Sequence, residues 1–300
     1  MHAVIDKIRK AGRMDLLHSA RRLKHRLWLA QKHGAHVVTE GRDLIYRMRS
    51  AVSPARYDAA RYELDFTALT GRNTSWKSDR PIPRVVWCVW SGTNAMSANR
   101  GACLQSIREV QHDLDVRLVT PDTLHEVVVD GHPLHPSYEH LSDVHRSDYL
   151  HAYLMHHHGG AFTGLKKHHH TWSPLIEDMQ EDVDAWVTGY RVPRSSEAAY
   201  FHGPLGRDVR KNFNLLLGFS GKIVRPGSPL TSEWLAEVER RLDYYGSLLA
   251  QVPGNVYGDN PGYPVPWTRI GSQVFEPLTL KYREHIRIDP RLKPQLWGHR

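Results

Sequence analysis

The sequence has few cysteines and no long apolar run, and each absence excludes a class of protein. Only two of the 300 residues are cysteine, Cys88 and Cys103, so the sequence lacks the disulfide framework of a small secreted domain. A disulfide bond between these two cysteines remains an alternative, but free thiols in a reducing compartment are the simpler expectation. No stretch reaches the roughly 18 apolar residues that a membrane-spanning helix needs. The N-terminal sequence MHAVIDKIRKAGRMDLL lacks the apolar core of a signal peptide, so we expect a cytoplasmic protein.

Several motifs of nucleotide-binding and metal-binding proteins are also missing. No G-x-G-x-x-G follows the first predicted strand, which weakens a dinucleotide-binding role, and the absence of G-x-x-x-x-G-K-[ST] argues against a P-loop nucleotidase. Zinc-finger spacings and RNA-binding aromatic motifs are absent, so no nucleic-acid partner is expected. Two histidine triplets, 156–158 and 168–170, have no cysteine and no H-E-x-x-H motif beside them. Metal binding by these triplets stays an alternative to a helix-end or surface role.

Positive charge is concentrated at the N-terminus. The formal net charge is +8, and residues 1–50 contain 12 Lys or Arg against 4 Asp or Glu, which alone gives 12 − 4 = +8. Apolar residues recur between the basic ones, so we predict a basic amphipathic helix over 4–34 and a second helix over 36–50. Such helices bind anionic membrane surfaces, which predicts a peripheral position on the inner face of the cell membrane. A solvated helix packed on the main domain is the alternative.

The pattern after residue 50 indicates one α/β domain. Residues 51–80 contain Pro54 and scattered polar residues, which are typical of a linker or an irregular packing arm. Alternating strand and helix patterns then follow over 84–90, 98–111, 116–119 and 120–129. Because this alternation is typical of parallel sheets, we expect a mostly parallel one. The expected division is a basic helical arm and linker over 1–75 and a compact domain over 76–300.

One stretch near the middle of the chain has the clearest local pattern. Ser142 or Asp143 can cap a helix whose apolar positions recur at helical spacing. Gly159-Gly160 can end that helix, because glycine tolerates the left-handed conformation of a C-cap. A short strand is predicted over 161–163.

Four residues of this stretch are candidates for chemistry. Asp148 and His151 are three residues apart, so they share one face of the predicted helix. Gly164 and Lys166 follow the predicted strand at its carboxyl end, where α/β sheets bind ligands. The local pattern therefore predicts a site between the helix and the strand end.

This stretch resembles the capsular polysaccharide synthesis glycosyltransferases, which are related to the yeast-type α-mannosyltransferases and the large clostridial glucosylating toxins. The family pattern is an S-D-x-x-R helix, a Gly-Gly turn, an aromatic strand and D-x-D. Ser147-Asp148 and Phe162 match it. Three positions differ from the family pattern: His151 replaces the arginine, and Gly164 and Lys166 replace the two aspartates. The resemblance covers about residues 81–280.

The resemblance implies a GT-A-like nucleotide-diphospho-sugar transferase fold with a mostly parallel central sheet, preceded here by the helical arm. The implied function is retaining sugar transfer from a nucleotide-sugar donor to a polysaccharide or glycan acceptor in surface or capsular polysaccharide synthesis. A non-catalytic nucleotide-sugar or glycan-binding protein on a degenerate site is the alternative.

The resemblance also implies roles for particular residues. Trp90, at the end of the first strand, is the position for stacking on the donor base, although Trp87 and Trp90 also suit a core. Asp148 is expected to accept hydrogen bonds from sugar hydroxyls. Lys166 is expected to replace the divalent metal, because Gly164 offers no ligand oxygen, so no metal is expected there. A solvated basic loop is the alternative for Lys166. The other implied donor contacts are Ser91, Ser147, His151, Phe162, Gly164 and Lys167.

The C-terminal third is predicted to add strands, a helix and a lid. Strands are predicted over 183–190, 212–219 and 223–224, the last two forming a hairpin through Ser220-Gly221. The segment SPLTSEWLAEVERRLDYY predicts a helix capped by Ser228 or Thr231. The segment DNPGYPVPWTRIGSQVF is rigid and aromatic, and the family has a similar segment placed to close over donor or acceptor. Tyr263 and Trp267 are therefore the lid candidates, with a packed surface loop as the alternative.

Overall fold

A computed structural model describes residues 39–54, 57–62, 71 and 73–297, and the helix predicted over 4–34 lies outside them. The α-helices of this part of the chain are α1 (39–52), α2 (Ala98–Val110), α3 (Asp143–His157), α4 (Ser173–Glu181), α5 (Gly203–Lys211), α6 (Pro229–Gln251) and α7 (Ser272–Lys281). The strands are β1 (Val85–Val89), β2 (Asp115–Val119), β3 (Gly160–Thr163), β4 (Val187–Arg191), β5 (Leu217–Val224) and β6 (Ile286–Ile288).

The strands form one mixed sheet in the order β2-β1-β3-β5-β4-β6. β1 pairs in parallel with β2 and β3, and β4 pairs in parallel with β6. β5 runs antiparallel to both of its neighbours, β3 and β4. The expected α/β class with a mostly parallel sheet is therefore confirmed.

The core is divided between the two faces of the sheet. Trp87 and Phe162 belong to the larger apolar cluster, which α3, α6 and α7 cover. Cys88 belongs to the cluster on the opposite face, which α2 and α4 cover, and the half-buried Trp90 packs against it. The alternation of side chains along β1 therefore places Trp87 and Trp90 on opposite faces, as the sequence predicts.

The predicted helix, glycine turn and strand near the middle of the chain are confirmed. The Ser142 hydroxyl caps α3 by accepting from the backbone N–H of His145 at 3.2 Å. Gly159 and Gly160 have φ of 68° and 87°, the left-handed region that glycine adopts at low cost. The chain then enters β3 at Gly160.

Two predicted elements are wrong. Over 120–129 only a short 3-10 turn, Leu124–Glu126, is present, because the Thr123 hydroxyl accepts from the Thr120 N–H and competes with a helix. The predicted hairpin at Ser220-Gly221 is instead the middle of the single strand β5, which pairs on both sides. A Cβ on Gly221 would collide with the carbonyl oxygen of Leu292, so this glycine serves close packing rather than a turn.

The described part of the N-terminal arm packs on the domain. The predicted second helix is confirmed as α1, and a backbone N–H of Ser195 donates to Asp43 at 3.1 Å. Tyr62 joins a third apolar cluster with residues of α5, and its hydroxyl donates to Asp208 at 3.2 Å. Among the described residues, no helix combines the length and apolar character that crossing a bilayer requires.

Candidate functional site

The candidate site lies at the carboxyl ends of β1 and β3. After β1 the chain forms β2 on one side, whereas β3 pairs with β1 on the other side. At such a switch point the loops diverge and leave a crevice, which is where open α/β sheets bind ligands. The start of α3 reaches this edge, because the hydroxyl of Ser91, two residues after β1, donates to the carbonyl of Asp143.

Asp148 lies on α3, and its side chain is half-buried. Among the described residues its carboxylate forms no hydrogen bond and no ion pair. Burial raises the pKa of Asp148 to about 7, and the positive charges of Lys222 and Lys166 act in the opposite direction. The backbone of Gly271 approaches so closely that a Cβ there would lie 2.8 Å from Oδ2 of Asp148. Asp148 therefore has free acceptor capacity in a narrow, partly desolvated place.

Lys222 is a buried lysine close enough to Asp148 to affect the pKa of that carboxyl, and the sequence patterns did not predict it as a site residue. It is fully buried on β5, where it pairs with Phe162 of β3. Its ammonium donates to the carbonyl of Phe219 at 2.6 Å and lies 3.0 Å from Nε2 of His151. The rings of Phe219, Trp234 and Phe275 surround this ammonium, with centroids 4.6, 5.4 and 4.2 Å away. Burial lowers the pKa of Lys222 well below its ordinary value, whereas Asp148 raises it.

His151 and Phe162 form the floor of the site rather than its surface. The two rings stack at 3.4 Å between centroids, and the side chains are 1% and 4% exposed. Burial and the neighbouring Lys222 lower the pKa of His151 well below its ordinary value, so the ring is neutral and accepts from Lys222. A ligand in the crevice therefore meets neither ring directly.

Lys166 is held at the mouth of the crevice by β5. Its ammonium donates to the hydroxyl of Ser220 at 3.0 Å. Gly164 leaves room for it, since a Cβ at Gly164 would lie 2.9 Å from the Lys166 ammonium. Lys167 is exposed and points its charge to solvent. Of the two lysines, only Lys166 is near enough to Asp148 to affect the pKa of that carboxyl.

A buried polar network fixes the loop that carries Lys166. The His168 imidazole lies 2.9 Å from the Thr163 hydroxyl and 3.1 Å from the amide nitrogen of Gln111. The Thr163 hydroxyl donates to the carbonyl of Gly164, so it must accept from Nε2–H of His168. Nδ1 then accepts from Gln111, which requires a neutral imidazole. Burial lowers the pKa of His168 to about 3, consistent with that tautomer.

The expected base contact is on the other side of the same edge. The Trp90 indole packs against the apolar cluster on the α2 and α4 face of the sheet, and its N–H donates to the carbonyl of Asn94 at 2.9 Å. The structure therefore does not bring Trp90 against Asp148. Ser147 is half-buried on α3, next to Asp148.

The predicted lid segment covers the start of α3. The Tyr263 hydroxyl lies 2.9 Å from Nδ1 of His145 and accepts from the Ser142 N–H at 3.2 Å. The Trp267 carbonyl accepts from Nε2 of His145 at 3.3 Å. Trp267 itself is 52% exposed. The same segment continues to Gly271 against Asp148, so it forms one wall of the crevice.

Glu276 is a buried acid near Lys222 that the sequence analysis did not single out. It lies on α7, accepts from the backbone N–H of Ala199 at 2.6 Å, and is 3% exposed. Burial raises its pKa to about 8, and Lys222 lowers it. The local signal was of the same kind for both residues: a lysine within the apolar run LLLGFSGKIV and a glutamate within the run VFEPLTL.

The residues of the site do not fit the divalent metal that the family uses. Gly164 has no side-chain oxygen, and Lys166 places an ammonium where a cation would bind. Across the described ranges, no group of three His, Cys, Asp or Glu is placed to hold a metal ion. His168 is occupied by Thr163 and Gln111, and the first triplet by other partners, including the Val127 carbonyl, which lies 2.8 Å from Nε2 of His158.

Comparison with known proteins adds no family assignment. No family model, no curated protein and no solved structure matches the chain. The chain is thus assigned to the α/β class by its own sheet.

Proposed function

We propose that the protein is a glycosyltransferase that takes a nucleotide-sugar donor into the crevice at the ends of β1 and β3. The observation that supports this proposal best is the half-buried carboxylate of Asp148, which has no hydrogen-bond or ion-pair partner among the described residues and lies within electrostatic reach of Lys222 and Lys166. A carboxylate with free lone pairs accepts from sugar hydroxyls, and ammonium groups attract a pyrophosphate. A nucleotide sugar combines both chemistries in one molecule. The mostly parallel sheet is compatible with the GT-A-like fold that the resemblance implies.

In the proposed reaction Lys166 is the group that stabilises the charge of the leaving diphosphate. The bond between the anomeric carbon and the phosphate oxygen breaks, and negative charge grows on the leaving diphosphate. Lys166 stabilises this charge from its position against Ser220. An acceptor hydroxyl forms the new bond to the anomeric carbon, and its proton goes to the leaving phosphate, with retention of configuration. Asp148 orients the sugar.

A non-catalytic nucleotide-sugar or glycan-binding protein is the second candidate. The observation that favours it is the loss of both carboxylates at positions 164 and 166, together with the burial of His151. Binding without transfer requires Asp148 and Lys166 but no stabilisation of a leaving group. Turnover assays therefore separate the two candidates.

A thermal-shift screen with a panel of nucleotide sugars, in the presence of EDTA, tests the proposal. We expect at least one donor to stabilise the protein, and Lys166→Gln to weaken its binding by about 1.5–3 kcal/mol, or roughly tenfold to 100-fold. Lys167→Gln is the matched control, because it removes the neighbouring exposed ammonium. The proposal is wrong if no nucleotide sugar binds, and the account of Lys166 is wrong if chelation abolishes binding.

A further inference from the structure

Helix α1 packs on the domain with its polar side. Asp43 is 5% exposed and accepts from the Ser195 N–H, and Ser50 is 4% exposed and shares hydrogen bonds of 3.0 and 2.7 Å with Asn214. An amphipathic helix of a globular protein ordinarily buries its apolar side instead. Hydrogen bonds of Asp43 and Ser50, together with the packing of Tyr46 against the third apolar cluster, therefore attach this face of α1.

The opposite side of α1 is apolar and open to solvent. Leu44, Ile45, Met48 and Val52 are 58%, 63%, 63% and 89% exposed, and we call these four residues the outer stripe. At about 100° per residue they span an arc of about 100°, centred opposite Asp43 and Ser50. A contiguous exposed apolar stripe of this kind marks an interaction surface.

The charge around the outer stripe identifies the chemistry of its partner. Arg49 is exposed at one border, whereas Arg47 at the other border donates to the Pro193 carbonyl at 3.2 Å and lies over the Phe213 ring. The acidic residues of the helix are Glu40 and the inward Asp43. The 38 residues that precede α1 contain nine Lys or Arg and two Asp or Glu, or 9 − 2 = +7. A second copy of the chain would bring two such basic segments together, which repel. An apolar and anionic partner satisfies both features.

We propose that the outer stripe of α1 docks into the headgroup region of an anionic lipid bilayer. Its apolar side chains enter the boundary with the acyl chains, and the adjoining basic residues attract lipid phosphates. The stripe is oriented by Ser195, just after β4, and Asn214, just before the antiparallel β5. Both therefore lie at the edge of the sheet where the candidate crevice opens. This docking surface goes beyond the proposed sugar transfer and does not depend on it.

Co-sedimentation of the full chain with vesicles tests this proposal. Phosphatidylcholine vesicles are compared with vesicles that also contain phosphatidylserine. The stripe variant carries Leu44→Ser, Ile45→Ser and Met48→Ser, and the matched control carries Tyr244→Ser and Leu248→Ser on α6, which are 73% and 48% exposed. All five side chains are exposed, so both variants should fold.

We expect the wild type and the control to bind only the anionic vesicles, with binding reduced at high salt. The stripe variant should bind about tenfold or more weakly. Equal binding by the stripe variant and the wild type overturns the proposal, because another segment would then contact the lipid. Sedimentation velocity tests whether a second copy of the chain binds the outer stripe instead. The proposal is also overturned if the wild type forms a dimer that the stripe substitutions dissociate and does not bind vesicles.

Discussion

Replacing Asp148 with asparagine should stabilise the free protein while weakening donor binding. The carboxyl has a folded-state pKa of about 7, above its ordinary value of 3.8, because burial disfavours the charged form. A carboxyl whose pKa is higher in the folded than in the unfolded state stabilises the fold, and this contribution is fully present below the unfolded-state pKa. It is lost as pH rises through the folded-state pKa. Asparagine has a similar shape and no charge to desolvate, so Asp148→Asn should remove this loss.

The size of the effect follows from the two pKa values. One unit of pKa corresponds to about 1.4 kcal/mol, so a shift of about three units gives an upper value near 4 kcal/mol at alkaline pH. We expect Asp148→Asn to raise the free energy of unfolding by about 2–4 kcal/mol at pH 8 and by about 0.5 kcal/mol at pH 4. A stability gain at a residue that binds ligand is the usual trade between function and stability.

Urea denaturation followed by tryptophan fluorescence at both pH values measures this difference. Asp243→Asn is the matched control, since the Asp243 side chain on α6 is 76% exposed. The control should change the unfolding free energy by less than about 0.5 kcal/mol. A variant at Asp148 that is no more stable than the wild type at pH 8 contradicts the assigned burial and charge of this carboxyl.

Three further predictions concern the surroundings of Asp148. Lys222→Met should raise the pKa of Asp148 further, because a neighbouring positive charge is removed, and an unchanged pH midpoint of donor binding refutes this. Gly164→Asp combined with Lys166→Asp should make donor binding respond to manganese, since among the described residues the Lys166 ammonium alone crowds Gly164. Calorimetry with and without EDTA tests this. His168→Phe should lower stability near pH 7 by about 1–3 kcal/mol. It should also reduce the further loss below about pH 6.5, because there the unfolded chain of the wild type binds a proton at His168 that the buried imidazole does not, and denaturation across that range shows whether it does.

The elements that the sequence predicted well depend on local signals. α3 has a serine cap and two glycines at its end, and each signal acts within a few residues of the chain. β5 could not be predicted in the same way, because its two ladders come from strands far away in the sequence. Without those ladders, Ser220 and Gly221 are typical of a turn.

The same difference between local and long-range signals applies to the candidate site. The helical spacing of Asp148 and the position of Lys166 after a strand were visible in the sequence. The role of Lys222 was not, because it depends on rings from α6 and α7, Trp234 and Phe275, that converge on it only in the fold. The sequence correctly placed His151 on the same helix face as Asp148. Its burial under Phe162 depends on tertiary packing, which the sequence does not show.

Helix α1 illustrates a further limit of sequence periodicity. The spacing of apolar residues predicted a helix, but it did not reveal which side faces the domain. Hydrogen bonds from Asp43 and Ser50 decide that orientation, and their partners lie about 150 residues away in the chain.

Calorimetric comparison of a nucleotide sugar with its free nucleoside diphosphate tests whether Asp148 binds the sugar of the donor. In the wild type, with EDTA present, we predict tighter binding of the nucleotide sugar, because Asp148 accepts from the sugar hydroxyls. Asp148→Asn should remove that preference, a loss of about tenfold, while the affinity for the nucleoside diphosphate stays unchanged. Equal affinity of the wild type for both ligands, or an unchanged preference in the variant, would contradict the assignment of Asp148 as the sugar-binding residue.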